Sequence, residues 1–124
     1  MLEHRDLTER VIGLAIEVHR TVGPGLLESV YRECLGLELE QAGIAFQCEV
    51  TVPVIYKNRT IPLGFRADIV VESAVILEIK AVTTFLPAHE SQLLTYLRMS
   101  QLRIGLLMNF HAPRLKDGLR RLIV

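Results

Sequence analysis

A chain of 124 residues, half of them hydrophobic, can bury roughly two-thirds of its unfolded surface without staples, so a single domain over residues 1–124 is expected. No apolar run nears the roughly 20 residues of a membrane span, and the charged N-terminus, MLEHRDLTERVIG, is unlike a secretory leader. Net charge is zero, and the two cysteines, Cys34 and Cys48, have no metal-like spacing and suit a reducing compartment; a soluble cytoplasmic protein is expected.

In chain order, Val11, Leu14, Ala15 and Val18 recur at helical spacing and predict an amphipathic helix over residues 5–21. The triplet Gly23-Pro24-Gly25 breaks it. A second helix follows to about Ala42, with Gly43 as its stop signal. The period then changes to two: VTVPVIY and RTIPLGFRADIVV read as strands joined by a turn at Lys57 and Asn58. Pro53 and Pro62 predict that these strands lie at an edge or carry bulges.

AVILEIKAV is the third strand, and PAHESQLLTYLRM a helix with Pro87 near its first position. RIGLLMNF is apolar on both faces, as a covered parallel strand would be. Strand, helix, strand in that order implies a right-handed crossover into the same sheet. LRRLIV adds a short strand or a short helix. The whole predicts an α/β sandwich with a mixed sheet.

Residues 98–124 carry six basic side chains (Arg98, Arg103, Arg114, Lys116, Arg120, Arg121) against Asp117 alone, while residues 1–49 carry nine acidic and four basic ones. A basic tail can face a polyanion even when the total cancels; charge alone reads equally as solvated surface.

The stretch ADIVVESAVILEIKAV places Asp68, Glu78 and Lys80 among residues that otherwise belong inside. Burying an ionised group is costly unless it is paired or bound to a metal. By strand alternation Leu63, Phe65, Ala67, Ile69 and Val71 share one face, and Asp68 shares the other with Gly64, Arg66 and Val70. Val75, Leu77, Ile79 and Ala81 likewise share a face, leaving Glu78 and Lys80 together opposite. A three-residue turn over Glu72, Ser73 and Ala74 pairs Val71 with Val75 and sets Asp68 across from Glu78. Like charges so opposed are destabilising, and a divalent cation resolves them. An E-x-K triplet alone is weak; the competing reading is a structural Glu78–Lys80 ion pair or an exposed sheet face.

Asp68 followed by Glu78-Ile79-Lys80 resembles the signature of the PD-(D/E)xK nuclease superfamily. GLLESVY, Gly25 to Tyr31, resembles the motif of its GxxExxY family, and QLLTY, Gln92 to Tyr96, the Q-x-x-x-Y motif of its RecB-like exonuclease branch. Ala67 stands where the superfamily's name has proline. The resemblance implies a restriction-endonuclease-like core, a mixed central sheet flanked by helices in the order α-α-β-β-β-α-β. It also implies a magnesium or manganese site of Asp68 and Glu78, with the Ile79 backbone carbonyl and Glu28 as further ligands.

Gln92 and Tyr96, four apart on one helix face with His89 a turn before, contact nucleic acid or steady the metal in similar enzymes. Their structural reading is a packed and capped helix face. Arg66 could grip a phosphate or neutralise a carboxylate, and a lone helical histidine, His19, is read as structural.

The leading expectation is a metal-dependent phosphodiesterase acting on DNA, with catalytic Asp68, Glu78 and Lys80. Lys80 would orient the attacking water or offset transition-state charge. The alternatives are a non-catalytic nucleic-acid-binding or assembly protein keeping the fold, and a nuclease acting on RNA. A chain this small has no separate DNA-reading domain, so partners or a homo-oligomer would supply substrate grip.

Overall fold

The computed structural model describes residues 4–124; Met1 to Glu3 of the N-terminal stretch and the side chain of Leu63 lie outside the described residues. Helix α1 spans Arg5–Val22 and turns Val11, Ala15, Val18 and His19 inward, the i, i+4, i+7 stripe that its sequence carries. It ends at Gly23, whose φ of 72° suits glycine. Helix α2 spans Glu28–Gln41. Beyond it the Ile44 N–H reaches back to the Leu39 carbonyl at 3.0 Å while Gly43 takes φ 71°, so the expected stop is where the chain turns.

Strand β1, Phe46–Tyr56, begins four residues before the expected VTVPVIY. It forms a hairpin with β2, Arg59–Val71, through Lys57 and Asn58 at φ 47° and 65°, a two-residue turn whose positive φ values match strand twist. β3 covers Val75–Lys80, α3 Pro87–Ser100, β4 Ile104–Asn109 and β5 Leu119–Ile123. LRRLIV is thus a strand. The sheet order is β1-β2-β3-β4-β5, with β3 and β4 parallel and the other neighbours antiparallel: a mixed sheet in the expected element order, with β5 appended.

Both prolines fall where the ladder does not need their missing N–H. The β1–β2 register pairs Val52 with Phe65 and Val54 with Ile61, so Pro53 faces a bulge holding Pro62 and Gly64. Gly64 is obligatory there, since a Cβ would stand 1.8 Å from the Val52 carbonyl oxygen.

One face of the sheet packs Ile69, Val71, Val75, Leu77, Ile79, Leu106 and Met108 under α1 and α2. The other packs Ala67, Val70, Ile76 and Leu107 under Leu93 and Leu97 of α3. The expected common face of Phe65, Ala67, Ile69 and Val71 is therefore broken: Ala67 lies with α3, and Phe65 stacks on Tyr96 of α3. The cause is in the ladder, which pairs Cys48 with Ile69 and Val50 with Ala67 but skips Glu49 and Asp68 between them, where Glu49 takes φ 52°. A lapse of this kind resets alternation and re-aims the side chain it contains. Among the described residues no helix is long and apolar enough to cross a membrane.

Candidate functional site

Asp68 and Glu78 meet where β2 and β3 part. Their ladder runs from Val71–Val75 to Ile69–Leu77, the predicted register, and its next step brings the two acids opposite each other. There the carboxylates replace the main-chain bonds. The Asp68 N–H donates to Glu78 Oε1 at 3.1 Å, and the Ile79 N–H donates to Asp68 Oδ2 at 2.8 Å. Each acid is anchored by the opposite strand, so rotamer freedom is already spent before any ligand arrives.

Glu78 is only 6% exposed. Burial first, and the neighbouring Asp68 charge second, push its carboxyl up to about 8; the Asp68 N–H and Lys80 oppose the rise. Burial also raises Asp68, against the pull of the Ile79 N–H, Lys80 and Arg32. A buried and a half-buried carboxylate that resist joint ionisation have the donor chemistry that a hard divalent cation satisfies. The Ile79 carbonyl leaves its strand on the same side as the N–H bound to Asp68, toward the gap.

Glu28 opens α2 and its Oε2 accepts from the Ala81 N–H at 3.0 Å, at the end of β3. It is near enough to raise both Asp68 and Glu78. Among the described residues no three His, Cys, Asp or Glu side chains converge closely enough to hold a metal: Asp68 and Glu78 are together, with Glu28 bound to the neighbouring backbone. The surrounding GLLESVY motif has a structural logic. Tyr31 is fully buried, donates from its hydroxyl to the Gly23 carbonyl at 2.6 Å, accepts from the Leu26 N–H at 3.1 Å and stacks on Phe110. It clamps the glycine loop so that Glu28 emerges beside β3.

Lys80 lies on the α3 side with Glu78, half-buried, and among the described residues it makes no ion pair with either acid. Lys80 pairs in register with Asn109 of β4. The buried Asn109 side chain accepts from the Val82 and His111 N–H groups at 3.0 and 3.1 Å and donates to the Val82 carbonyl at 2.8 Å. It fixes the chain just beyond Lys80.

Sequence reasoning missed two residues here, Asn109 and Arg32. Arg32 Nη1 is 3.7 Å from Asp68 Oδ1 and Nη2 is 3.3 Å from Glu49 Oε1. The available signal was its position four residues after Glu28, on the same helix face. Arg66, expected to serve a phosphate or a carboxylate, is paired with Glu49 at 3.6 Å and largely exposed.

The α3 residues divide. The Tyr96 ring stacks on Phe65 with centroids 3.6 Å apart, and burial, then Glu78 and Asp68, raise its hydroxyl pKa, so the phenol lies within the field of the acids. Gln92 is exposed. His89 caps the helix, its Nδ1 accepting from the Leu86 N–H at 3.0 Å. His19 is buried with Nε2 2.8 Å from the Ala112 carbonyl, a packing role as expected.

A sequence profile described as the PD-(D/E)XK nuclease superfamily matches residues 5–122, nearly the whole chain. No curated protein and no solved structure matches it.

Proposed function

The chain belongs to the PD-(D/E)XK nuclease superfamily, and from that premise we propose that it is a single-domain, magnesium- or manganese-dependent deoxyribonuclease. The observation that carries this reading is the interlocked pair of half-buried Asp68 and buried Glu78, each oriented by the other strand's N–H, with Lys80 alongside.

Asp68 and Glu78 would hold the cation, with the Ile79 carbonyl as a third protein donor and Glu28 acting on the cation's outer waters. When bound, a divalent cation supplies Lewis acidity toward a phosphate oxygen and lowers the pKa of a coordinated water. Burial and the Asp68 charge raise the Glu78 carboxyl to about 8, so a cation held there would favour its ionised form. Lys80 would orient the attacking water or balance charge growing on the phosphate. Asn109 keeps the backbone beyond Lys80 fixed, and Arg32 offsets the charge of Asp68.

Within the superfamily, the GxxExxY family is the reading supported by Gly25, Glu28 and Tyr31. A RecB-like exonuclease affinity is supported by Tyr96, which lies in the field of the two acids. Tyr96 and Gln92 would meet the nucleic acid, with Arg66 toward its backbone. Free Cys34 and Cys48 favour a cytoplasmic setting.

Labelled single-stranded, duplex and RNA oligonucleotides, incubated with magnesium or with chelator, test the reading. DNA should be cleaved only with the metal, and Asp68→Asn and Lys80→Met should each lose at least 100-fold. Cleavage unaffected by Asp68→Asn would sink the assignment, as would wild-type inactivity on every DNA. Preference for RNA would move it to the other nucleic acid.

A further inference from the structure

The same face of the sheet holds a cavity that the proposed chemistry does not use. It measures about 420 Å³ and opens between the segment after β3, the start of α3 and β5; Thr83, Phe85, Glu90, Asn109, Asp117 and Arg120 are among its walls. Its relation to the acid pair follows from register. Glu78 pairs with Leu107, and Leu107 pairs with Arg120, so the three form one row across β3, β4 and β5. Paired residues share a face, and here it is the α3 face, since Leu107 and Leu122 pack with Leu93 and Leu97. Two strand spacings put Arg120 roughly 10 Å from Glu78. Asn109, the register partner of Lys80, is a wall of the cavity.

We propose that this cavity receives one unpaired nucleobase of a DNA strand whose neighbouring phosphate lies at Asp68 and Glu78. The inference rests on the nuclease reading above and adds the substrate class: a strand with unpaired bases at the site. Three features select a base. The volume is near the small end of the roughly 300–1,000 Å³ range of small-molecule pockets, enough for one ring system. Glu90 contributes a carboxylate to the walls, which repels a phosphate but accepts from a base's amino and imino groups. Phe85, with the Arg120 guanidinium 5.6 Å from its ring centre, forms an aromatic–cation platform of the kind on which unpaired bases stack. A base held in a duplex cannot enter so small a recess, so the preference is for single strands, ends or frayed junctions.

The test is binding in chelator, where no cleavage occurs, of single-stranded oligonucleotides carrying 2-aminopurine at successive positions. Wild type should alter the fluorescence strongly at one position or a narrow run of positions. Phe85→Leu keeps the apolar volume that packs against α3 and should lose that signal, with single-strand affinity lower by about 5- to 150-fold, the worth of one stacked base. Phe85→Tyr should bind like wild type, and affinity for blunt duplex should not change. Circular dichroism melts confirm that each variant is folded. Equal single-strand binding by wild type and Phe85→Leu overturns the pocket, as does an equal loss on duplex or no single-strand binding by wild type. Cleavage in magnesium reads the parent proposal separately. Active Phe85→Leu with unchanged binding would remove the pocket and leave the nuclease, whereas inactive wild type with a Phe85-dependent base signal would do the reverse.

Discussion

Replacing Glu78 by glutamine separates a strained metal site from a structural ion pair. The ordinary carboxyl value of 4.5 rises to about 8 in the fold, through burial and the adjacent Asp68. The folded protein therefore binds this proton more tightly than the unfolded chain does. Stability is full below pH 4.5 and falls as pH rises toward 8, by about 1.4 kcal/mol per pH unit at most. Across the window the metal-free fold loses on the order of 3–5 kcal/mol, with the raised Asp68 acting in the same direction. Glutamine keeps an acceptor for the Asp68 N–H and removes the titration. In chelator, Glu78→Gln should match wild type near pH 5 and exceed it at pH 9 by at least about 1 kcal/mol, roughly 3–5 °C for a chain this long. Magnesium at a hundred times its dissociation constant should stabilise wild type by roughly 2.7 kcal/mol, more so at high pH, and the variant much less. Thermal melts at pH 5, 7 and 9, with magnesium or chelator, read all of this. A loss of about 3–5 kcal/mol by the variant in chelator, flat with pH, together with no magnesium effect on wild type, would mean that Glu78 belongs to a buried ion pair and refute the reasoning.

Three further outcomes are expected. Asn109→Leu leaves the Val82 N–H and carbonyl and the His111 N–H without their partner, so urea unfolding should show a loss of about 2–4 kcal/mol, with a fall in kcat as Lys80 loses its support. Arg32→Met removes a cation that competes for Asp68 while keeping the alkyl stem; calorimetry should show magnesium binding a few-fold tighter, in line with about 0.2–1 kcal/mol for a part-exposed pair. Lys116→Ala should flatten the log–log salt dependence of duplex binding by about 0.9, one phosphate, while Arg114, already tied to Asp117, should matter less.

The juxtaposition of Asp68 and Glu78 was legible because its register is short-range. A three-residue turn after Val71 fixes Val75, and counting outward reaches Asp68 and Glu78 without any tertiary knowledge. The helices and β4 were legible for a similar reason: periodicity and glycine or proline punctuation are local. What stayed hidden depends on contacts between distant segments. Asn109 looks like a strand-end residue until Val82 is seen against it. Arg32 is one polar residue of many on α2 until Glu49 and Asp68 meet it across two strands. The flip of Ala67 arises from a lapse in the β1–β2 ladder that no two-residue period reveals. The early start of β1 was missed because Gln47, Cys48 and Glu49 are exposed on an edge strand and show no apolar alternation. In the QLLTY segment the spacing gave the right helix face for Tyr96, whereas the exposure of Gln92 leaves it without a visible tie to the acids.

The central claim is that Asp68 and Glu78 form a cation site, and anomalous diffraction from crystals soaked in manganese tests it most directly. The expected result is a single strong peak between the two carboxylates, within ligand distance of both and of the Ile79 carbonyl, and its disappearance in Asp68→Asn crystals. Saturating manganese with no peak there, or a peak that survives Asp68→Asn, would contradict the account.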